Sequence, residues 1–408
     1  MIFAITMVRN EMPLLPLTLA NLLTQGVDRV LVADHNSTDD TLNWLLCAEA
    51  ADSRITVIAH ETQAYNQAAV ISSLARIAAA SGAAWILPFD ADEFWIAADP
   101  ASRLSDLLGS ARLEGVEAVG VTPENFAAPF DCDEFHLSDL PRFTQRCAPT
   151  ELADTDDLSA FRQGLRSFVS YGWPNKFIIR ASPEILIGPG AHTVPSIADA
   201  HTLGVSDAIR CLHIPLRCKR FLNTKMTHGQ SLKSSGYPAR HGWQNQMLVN
   251  LDSDQDLDRI WAINSYDSAG HDATAGRTEV YIPDESLAKL YHELSRHPLL
   301  NPEIASKGRA GESAGWLSTA CLAVTETLML DRETSSVELR QLRTTGIPRL
   351  EGEVASLKAG LGSVKDANRG LEDANRGLEV ELVSLRNSRV FRWSRPVRRF
   401  YHQIVRHR

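Results

Sequence analysis

The sequence predicts an α/β protein: a domain with a mostly parallel sheet, followed by a helical region and a C-terminal coiled coil. Three observations support this class. Apolar runs of strand length alternate with helical patterns up to about residue 100, three carboxylates follow one of those runs, and a heptad pattern occupies residues 349–385. Repeated strand–helix units of this kind imply a parallel sheet with right-handed crossovers.

The first elements are placed by their apolar patterns. Short apolar runs predict buried strands, and leucine-rich or alanine-rich stretches between them predict helices. Pro13 opens the first helix pattern and Gly26 ends it, while Ser37 and neighbouring polar residues are suited to cap the second helix. The predicted strands are residues 2–8, 29–34, 55–59 and 83–87, and the predicted helices are residues 13–25, 41–51 and 65–80.

The pattern becomes less regular after residue 100, and four segments are expected along the whole chain. Further elements are predicted as helix 104–113, strand 116–121, a long loop or lid at 122–164, strand 176–180, strand 211–216, and helices 219–233, 283–296 and 303–345. The predicted segments are a catalytic-type domain at 1–250, a helical extension at 251–348, a coiled coil at 349–385 and a basic amphipathic tail at 386–408.

The heptad segment predicts a coiled coil. Its apolar positions step by alternating three and four residues, and it contains the tandem copies 366–372 and 373–379, both DANRGLE. Asn368 and Asn375 fall at core positions, where buried asparagine favours two parallel strands. We expect a homodimer through this segment; the alternative is that its leucine stripe packs back onto the body of the protein.

The last segment is basic and aromatic. Residues 386–408 contain eight arginines and no acidic residue, with apolar side chains interleaved. Such a segment is typical of a peripheral anchor on an anionic membrane surface, and the alternative is a solvated or self-docking tail.

Composition limits the classes of function. A net charge of −9 argues against a body that binds nucleic acid. Six scattered cysteines without a C-x-x-C pair argue against a zinc or disulfide scaffold. The sequence shows neither a signal peptide nor an apolar run of membrane-spanning length, so we expect a cytoplasmic protein, free or peripheral at the inner face of the membrane.

The acidic stretch after the fourth predicted strand indicates a metal site. Asp90, Asp92 and Glu93 follow the apolar run 83–87, at the strand end where open α/β sheets bind ligands. Neighbouring anions repel one another unless a cation lies among them, and Mg²⁺ is typically held by one or two carboxylates together with substrate phosphates. A metal–diphosphate site is therefore predicted here.

The motifs MVRNE, VADHNSTDDT and WILPFDADEF follow the first, second and fourth strands in this order. In order and spacing they resemble those of the glycosyltransferase family 2-like enzymes of bacterial surface-polysaccharide synthesis. The resemblance covers about residues 1–250 and implies the GT-A nucleotide-sugar-binding fold. It is extended by residues 176–180, 190–192 and 212–217 and by Lys225.

The resemblance implies roles for particular residues. Asp34 corresponds to the position that contacts the base, and Asp90 with Asp92 forms the Asp-x-Asp that holds Mg²⁺ or Mn²⁺ against the donor diphosphate. His192 or His213 would complete the metal ligands, with His213 slightly favoured. The residues expected to bind the nucleotide are Arg9, Asn10, Glu11, Asp34, Lys176, Arg217 and Lys225. Of these, Lys176, Arg217 and Lys225 are the candidates to neutralise the diphosphate leaving group.

The implied activity is transfer of a sugar, with inversion, from a nucleotide-diphosphate donor to a glycan or lipid-linked acceptor in surface polysaccharide synthesis. The acceptor hydroxyl then needs a general base, and the candidates Asp131, Asp133, Glu134 and Asp199 stay open. For Glu93 the expected role is to ligate the metal through water or to orient the acceptor. The alternative is a non-catalytic scaffold, in which a transferase-like body recruits polysaccharide-assembly enzymes through its coiled coil.

Overall fold

The computed structural model describes residues 1–59, 67–148, 166–194, 202–203, 207–234, 242–249, 254–267 and 281–301, together with Gly377. One compact unit runs from Met1 to Met329, and a second runs from Leu330 to Arg408. Of the second unit only Gly377, which is helical, is described. Apart from Gly377, the predicted coiled coil and basic tail therefore lie outside the described residues.

The described part of the first unit contains the following elements. The strands are β1 (Ile2–Val8), β2 (Arg29–Asp34), β3 (Ile55–Ala59), β4 (Trp85–Pro88), β5 (Glu93–Ala97), β6 (Ala118–Val121), β7 (Pro123–Asn125), β8 (Ala128–Pro129), β9 (Gln145–Cys147), β10 (Lys176–Arg180), β11 (Thr202–Leu203), β12 (Ile209–His213), β13 (Ser265–Tyr266) and β14 (Tyr281–Pro283). The helices are α1 (Leu15–Thr24), α2 (Thr41–Ala51), α3 (Gln67–Ala80), α4 (Leu104–Leu108), α5 (Phe221–Ser234), α6 (Trp243–Leu248), α7 (Asp254–Ile263) and α8 (Ser286–Leu294).

The main sheet has the strand order β11-β6-β10-β4-β1-β2-β3. Strands β1, β2, β3 and β4 are mutually parallel, as the alternating strand and helix patterns predicted. β10 runs antiparallel to both β4 and β6. The first residue of β10, Lys176, therefore lies at the same edge of the sheet as the residues that follow β4.

Both faces of the parallel strands are buried, which explains their continuous apolar runs. Alternate side chains of β1 enter different clusters: Ala4 packs on the side of Leu19 from α1, and Ile5 packs on the side of Leu74 from α3. All four are fully buried. Gly26, with a φ of +85°, follows the end of α1 in the left-handed conformation typical of a residue after a helix.

A second sheet, β5-β12-β7, lies beyond the end of β4. Its register places His213 opposite Glu93 on one side and opposite Asn125 on the other. Paired residues of neighbouring strands project to the same face, so this register brings an imidazole between a carboxylate and a carboxamide. The sequence patterns did not predict β5 or this sheet.

Two expectations need correction in the described residues. The segment 122–164 was expected to be a long loop or lid, but its described part contains β7, β8, β9 and a 3-10 helix at Leu137–Arg142. The expected extension after residue 250 is not purely helical either, because β13 pairs with β8 and β14 pairs with β9. Short strands of this kind are made by long-range pairing, which a local pattern does not encode.

No helix in the described part of the chain is both long and apolar enough to span a bilayer.

Candidate functional site: an acidic and basic cleft at the carboxyl edge of the sheet

A cleft of about 730 Å³ opens at the carboxyl ends of β1 and β4. This is the edge at which open α/β sheets bind their ligands. Its lining brings together most of the residues singled out by sequence: Arg9, Asn10, Glu11, Asp90, Asp92, Glu93, Lys176, His192, His213 and Lys225. Residues from α5, α6 and the segment 168–174 complete the wall.

Asp90 is held by a buried lysine. Lys176 Nζ donates a hydrogen bond to Asp90 Oδ2 at 2.6 Å, and Gln67 Nε2 lies 3.4 Å from Asp90 Oδ1. Burial acts to raise the pKa of Asp90, but the attraction of Lys176 outweighs it and the pKa is lowered. We expected Lys176 to face the donor diphosphate; instead it is 4% exposed and its charge is balanced by acidic side chains.

Glu93 is the second partner of Lys176 and is fully enclosed. Its Oε1 forms an ion pair with Lys176 Nζ at 2.7 Å, although the angles are not those of a hydrogen bond. Its Oε2 accepts hydrogen bonds from the main-chain amide of Asp90 and from the indole of Trp95. Burial, partly offset by Lys176, raises the pKa of Glu93 to about 7. With no exposed surface, Glu93 supports the acidic loop and is poorly placed to meet an acceptor.

Asp92 faces His213. Their Oδ2 and Nε2 atoms are 3.8 Å apart. His213 Nδ1 lies 2.9 Å from Asn125 Oδ1, and the tautomer that can donate to this acceptor is the one with its proton on Nδ1, in which the lone pair of Nε2 is directed to the Asp92 side. Burial lowers the pKa of His213 to about 3 and raises that of Asp92. A neutral imidazole and a carboxylate thus share one side of the cleft.

His192, the other candidate ligand, is directed differently. Its Nδ1 is 3.3 Å from the carbonyl oxygen of Asn175, and its ring stacks on Trp173 at a centroid distance of 6.4 Å. Burial lowers the pKa of His192 to about 4. Within the described residues, no group of three or more His, Cys, Asp or Glu side chains is arranged to hold a metal ion. Any metal here would need ligand atoms from its substrate or from water.

Arg217 anchors the loop after β1. Its guanidinium donates to Glu11 Oε2 at 2.8 Å and to the Asn10 carbonyl at 3.3 Å, and it lies 3.8 Å above the ring of Phe221. Lys225, one turn further along α5, is also near the Phe221 ring at 5.2 Å. Burial lowers the pKa of Lys225, and the carboxylates Asp92 and Glu11 oppose that shift.

The loops after β1 and β2 are tied to each other. Asn10 Oδ1 accepts a hydrogen bond from the Thr38 amide at 2.7 Å, and the Asn10 amide donates to Ser37 Oγ. Asp34 is 2% exposed and does not line the cleft; its Oδ2 accepts from the Ser37 amide, and Oδ1 has no hydrogen bond to any residue that the structure describes. Burial raises the pKa of Asp34. In this arrangement Asp34 supports the loop whose residue Thr38 reaches the cleft.

The predicted bases that the structure describes are not brought to the cleft. Asp131 is largely exposed and forms a close ion pair with Arg142, and Asp133 and Glu134 line a separate surface depression beside Lys219. None of the three belongs to the lining of the cleft. Asp199 lies outside the described residues.

Several lining residues were not singled out from the sequence. In the lining they form an aromatic cluster of Phe168, Tyr171, Trp173 and Trp243, and the ring of Trp173 is perpendicular to that of His213 at a centroid distance of 5.6 Å. Asn125, which is buried behind His213 and does not itself line the cleft, was not singled out either. Their spacing along the chain carries no motif. The only available signal was the density of aromatic residues in the stretch 168–173.

Comparison with known proteins assigns the first part of the chain. Residues 3–144 match the family model described as Glycosyl transferase family 2. No curated protein gives a significant match to the sequence.

Solved structures give remote similarities. S. aureus TarS is 13% identical over 60% of this chain, with a TM-score of 0.27, and the match spans 42% of the TarS chain. The mannosyltransferase PcManGT from Pyrobaculum calidifontis, in complex with GDP-Man and Mn²⁺, is 14% identical over 80% of this chain and 86% of its own, with a TM-score of 0.31. Residues 1–349 of S. aureus TarS in complex with UDP are 13% identical, over 61% of this chain and 70% of that one, with a TM-score of 0.29. Similarity at this level carries no argument about substrate.

The family match confirms the resemblance seen in the motifs. Residues 3–144 are a glycosyl transferase family 2 domain of the GT-A type, and the protein thus carries a nucleotide-sugar-dependent glycosyltransferase domain. Several residues of the site, among them Lys176, His213 and Lys225, lie beyond the matched region.

Proposed function

We propose that this protein transfers a sugar from a nucleotide-diphosphate donor to a glycan or lipid-linked acceptor, with a divalent cation in the cleft. The observation that carries the proposal is the Asp92–His213 pair. It lies at the carboxyl edge of the sheet in a cleft that is also lined by the cation Lys225, while Arg217 is buried behind the lining residue Glu11. Donor phosphates would lie between Lys225 and the acidic loop.

The two side chains fit a divalent cation. Metal–oxygen distances are about 2.1 Å, so one ion can contact two atoms that are 3.8 Å apart. A neutral imidazole nitrogen beside a carboxylate oxygen suits Mn²⁺ better than Mg²⁺, which prefers oxygen ligands alone. Asp90, although part of the predicted Asp-x-Asp, is engaged by Lys176 and would act indirectly. When bound, the ion would supply charge stabilisation for the departing diphosphate.

The protein's own residues supply the rest of that stabilisation. Lys225 has a pKa lowered by burial but lies near two carboxylates, which favour its charged form. Arg217 holds Glu11 and the Asn10 carbonyl, and so fixes the loop after β1 at the mouth of the cleft. Preorganised cations of this kind stabilise charge that develops during transfer.

Direct displacement with inversion suits this site. Among the described residues that line the cleft, three carboxylates pair with a cation: Asp90 and Glu93 with Lys176, and Glu11 with Arg217. Asp92 would be occupied by the divalent cation, and a covalent intermediate would need a free carboxylate nucleophile. Of the predicted bases, Asp199 is the one we carry forward, because Asp131, Asp133 and Glu134 lie away from the cleft.

A role in surface polysaccharide synthesis, dimerisation through residues 349–385 and membrane contact through residues 386–408 remain proposals that rest on the sequence. The body would act at the inner face of the membrane, where lipid-linked acceptors and cytoplasmic nucleotide sugars meet.

Calorimetric titration with UDP, GDP and dTDP, with and without Mn²⁺, tests the proposal. We expect one nucleotide to bind in a Mn²⁺-dependent manner, and Asp92→Ala to abolish the metal-dependent part. The matched control is Asp207→Ala, because Asp207 is an exposed acid outside the cleft. If the unaltered protein bound none of these nucleotides with or without Mn²⁺, the scaffold alternative would replace the enzyme.

A further inference from the structure

We propose that Asn125 is a positioning residue: its carboxamide fixes the tautomer and ring orientation of His213, so that the lone pair of Nε2 faces the metal beside Asp92. The inference rests on the proposed function, since it assumes that a divalent cation binds at Asp92 and His213. It adds a residue with no place in the acidic motif and ties the metal site to a distant segment of the chain.

The orientation of the Asn125 amide is determined by its neighbours. Its Nδ2 group donates to two main-chain carbonyls, Val169 O at 2.9 Å and Tyr171 O at 3.0 Å. Since carbonyl oxygens only accept, the NH₂ group must point at them and Oδ1 must point at His213. Asn125 is 1% exposed, so water does not compete for these bonds.

This fixed acceptor determines the state of His213. A neutral imidazole carries its proton on either nitrogen, and only the Nδ1–H form can donate to Asn125 Oδ1 at 2.9 Å. The other tautomer would present an N–H to the cation and would bind no metal through Nε2. The edge of the ring against Trp173 and the backbone pairing of His213 with Asn125 limit its rotation further.

The same bonds connect the metal side of the cleft to its aromatic wall. Val169 and Tyr171 belong to the segment 166–173, beyond the family 2 domain. Tyr171 packs edge-on against Trp173 and Trp243, at 4.8 Å and 5.1 Å. The packing of this aromatic wall therefore fixes the carbonyl groups of Val169 and Tyr171, and these accept the hydrogen bonds that orient the Asn125 side chain. Outer partners of metal-bound histidines typically change metal affinity by about 10–100-fold.

The experiment compares Asn125→Leu, His213→Gln and the double variant in the full-length protein. The first readout is the ¹⁵N chemical shift pair of the His213 ring without metal, assigned by its loss in His213→Gln. The second is Mn²⁺ affinity from electron paramagnetic resonance of the free ion. We expect a predominantly Nδ1–H ring in the unaltered protein, a mixed tautomer in Asn125→Leu, and an affinity for Mn²⁺ lowered about 10–100-fold.

The double variant separates positioning from general damage. If Asn125 acts through His213, then Asn125→Leu should add nothing to the Mn²⁺ loss in a His213→Gln background, whereas an unrelated effect would add fully. Asn43→Leu, an exposed asparagine of α2, is the matched control. Thermal unfolding reports whether the loss of donors to Val169 and Tyr171 has damaged the fold.

The outcomes distinguish this inference from the proposed function. Failure of the unaltered protein to bind Mn²⁺, with or without nucleotide, overturns both. Binding of Mn²⁺ that Asn125→Leu leaves unchanged, an Nε2–H ring in the unaltered protein, or full additivity in the double variant overturns the role of Asn125 alone.

Discussion

The two sides of the cleft come from different parts of the chain and differ in charge. Glu11, Asp90, Asp92 and Glu93, here called the acidic side, lie within the family 2 domain. Lys176, His213 and Lys225, together with Arg217, which is buried behind Glu11, are here called the basic side and follow that domain in the chain. Lys176 pairs with Asp90 and Glu93, Arg217 pairs with Glu11, and His213 faces Asp92. The charges of the acidic motif are thus balanced only by residues that come later in the chain.

The difference shows what each side contributes. Burial and mutual repulsion raise the pKa of Asp92 and of Glu93, so the acidic side is strained in isolation. On the basic side, the ammonium group of Lys176 offsets this charge repulsion at Asp90 and Glu93. Asp92 instead faces the neutral imidazole of His213. Asp92 is the acid that we propose as the metal ligand.

The largest effect should come from removing the cation shared by Asp90 and Glu93. Lys176→Met leaves two carboxylates without their charge partner, and breaking a buried pair in this way costs about 3–5 kcal/mol of unfolding free energy. Urea unfolding at pH 7.5 measures it. The loss should be smaller at pH 5, because Glu93, with a pKa of about 7, is then protonated.

Lys289→Met provides the comparison for Lys176→Met. Lys289 is 71% exposed and pairs with Glu285 at 3.6 Å on the surface of α8, so its replacement should change stability by less than about 1 kcal/mol. Equal losses in the two variants would mean that Lys176 does not neutralise the acidic side.

A moderate effect on donor binding is expected at Arg217. Lysine cannot make both hydrogen bonds, to Glu11 and to the Asn10 carbonyl, while stacking on Phe221, so Arg217→Lys should loosen the loop after β1. We expect the Kd of the nucleotide to rise about tenfold, which corresponds to about 1.4 kcal/mol. Calorimetry with the nucleotide identified above measures it.

The neighbouring arginine is a stringent control. Arg220 also pairs with a glutamate at 2.8 Å, Glu134, but both side chains are well exposed and lie away from the cleft. Arg220→Lys should leave nucleotide affinity unchanged. If both variants bound nucleotide as the unaltered protein does, Arg217 would be a structural ion pair without influence on the donor.

The smallest effect should be a change in pH dependence at Glu93. Burial raises its folded pKa to about 7, above the ordinary 4.5, so the folded state binds more protons between these values. The stability that Glu93 contributes is therefore fully present below about pH 4.5 and is lost as pH rises to about 7. In Glu93→Gln, the decrease of the unfolding free energy with pH between about pH 4.5 and pH 7 should lose the part that Glu93 causes.

Denaturant unfolding at half-unit steps from pH 4.5 to 8 measures that slope. Glu184→Gln, which removes an exposed carboxylate, should retain the slope of the unaltered protein. A Glu93→Gln profile parallel to that of the unaltered protein would show that Glu93 is ionised throughout this range.

The sequence predicted much of the first domain because the signals there are local. Apolar runs marked β1 to β4, and the polar residues after β1 and β4 placed Glu11, Asp90 and Asp92 at one edge of the sheet. In a parallel sheet the carboxyl ends of the strands share an edge, so fold and position follow from the same pattern. The family assignment rested on these motifs and is confirmed.

Partnerships within the cleft were decided by tertiary structure. Lys176 was assigned to the diphosphate, but the antiparallel course of β10 brings it to Asp90, 86 residues earlier in the chain. Asn125 carried no motif, and the register of β12 and β7 places it beside His213. Arg217 pairs with Glu11, from which it is separated by 206 residues in the chain. Residue type and strand periodicity are local properties, so the sequence alone determines them. The register between strands and the burial of a charged group beside its partner depend on how distant segments pack, so only the tertiary structure determines them.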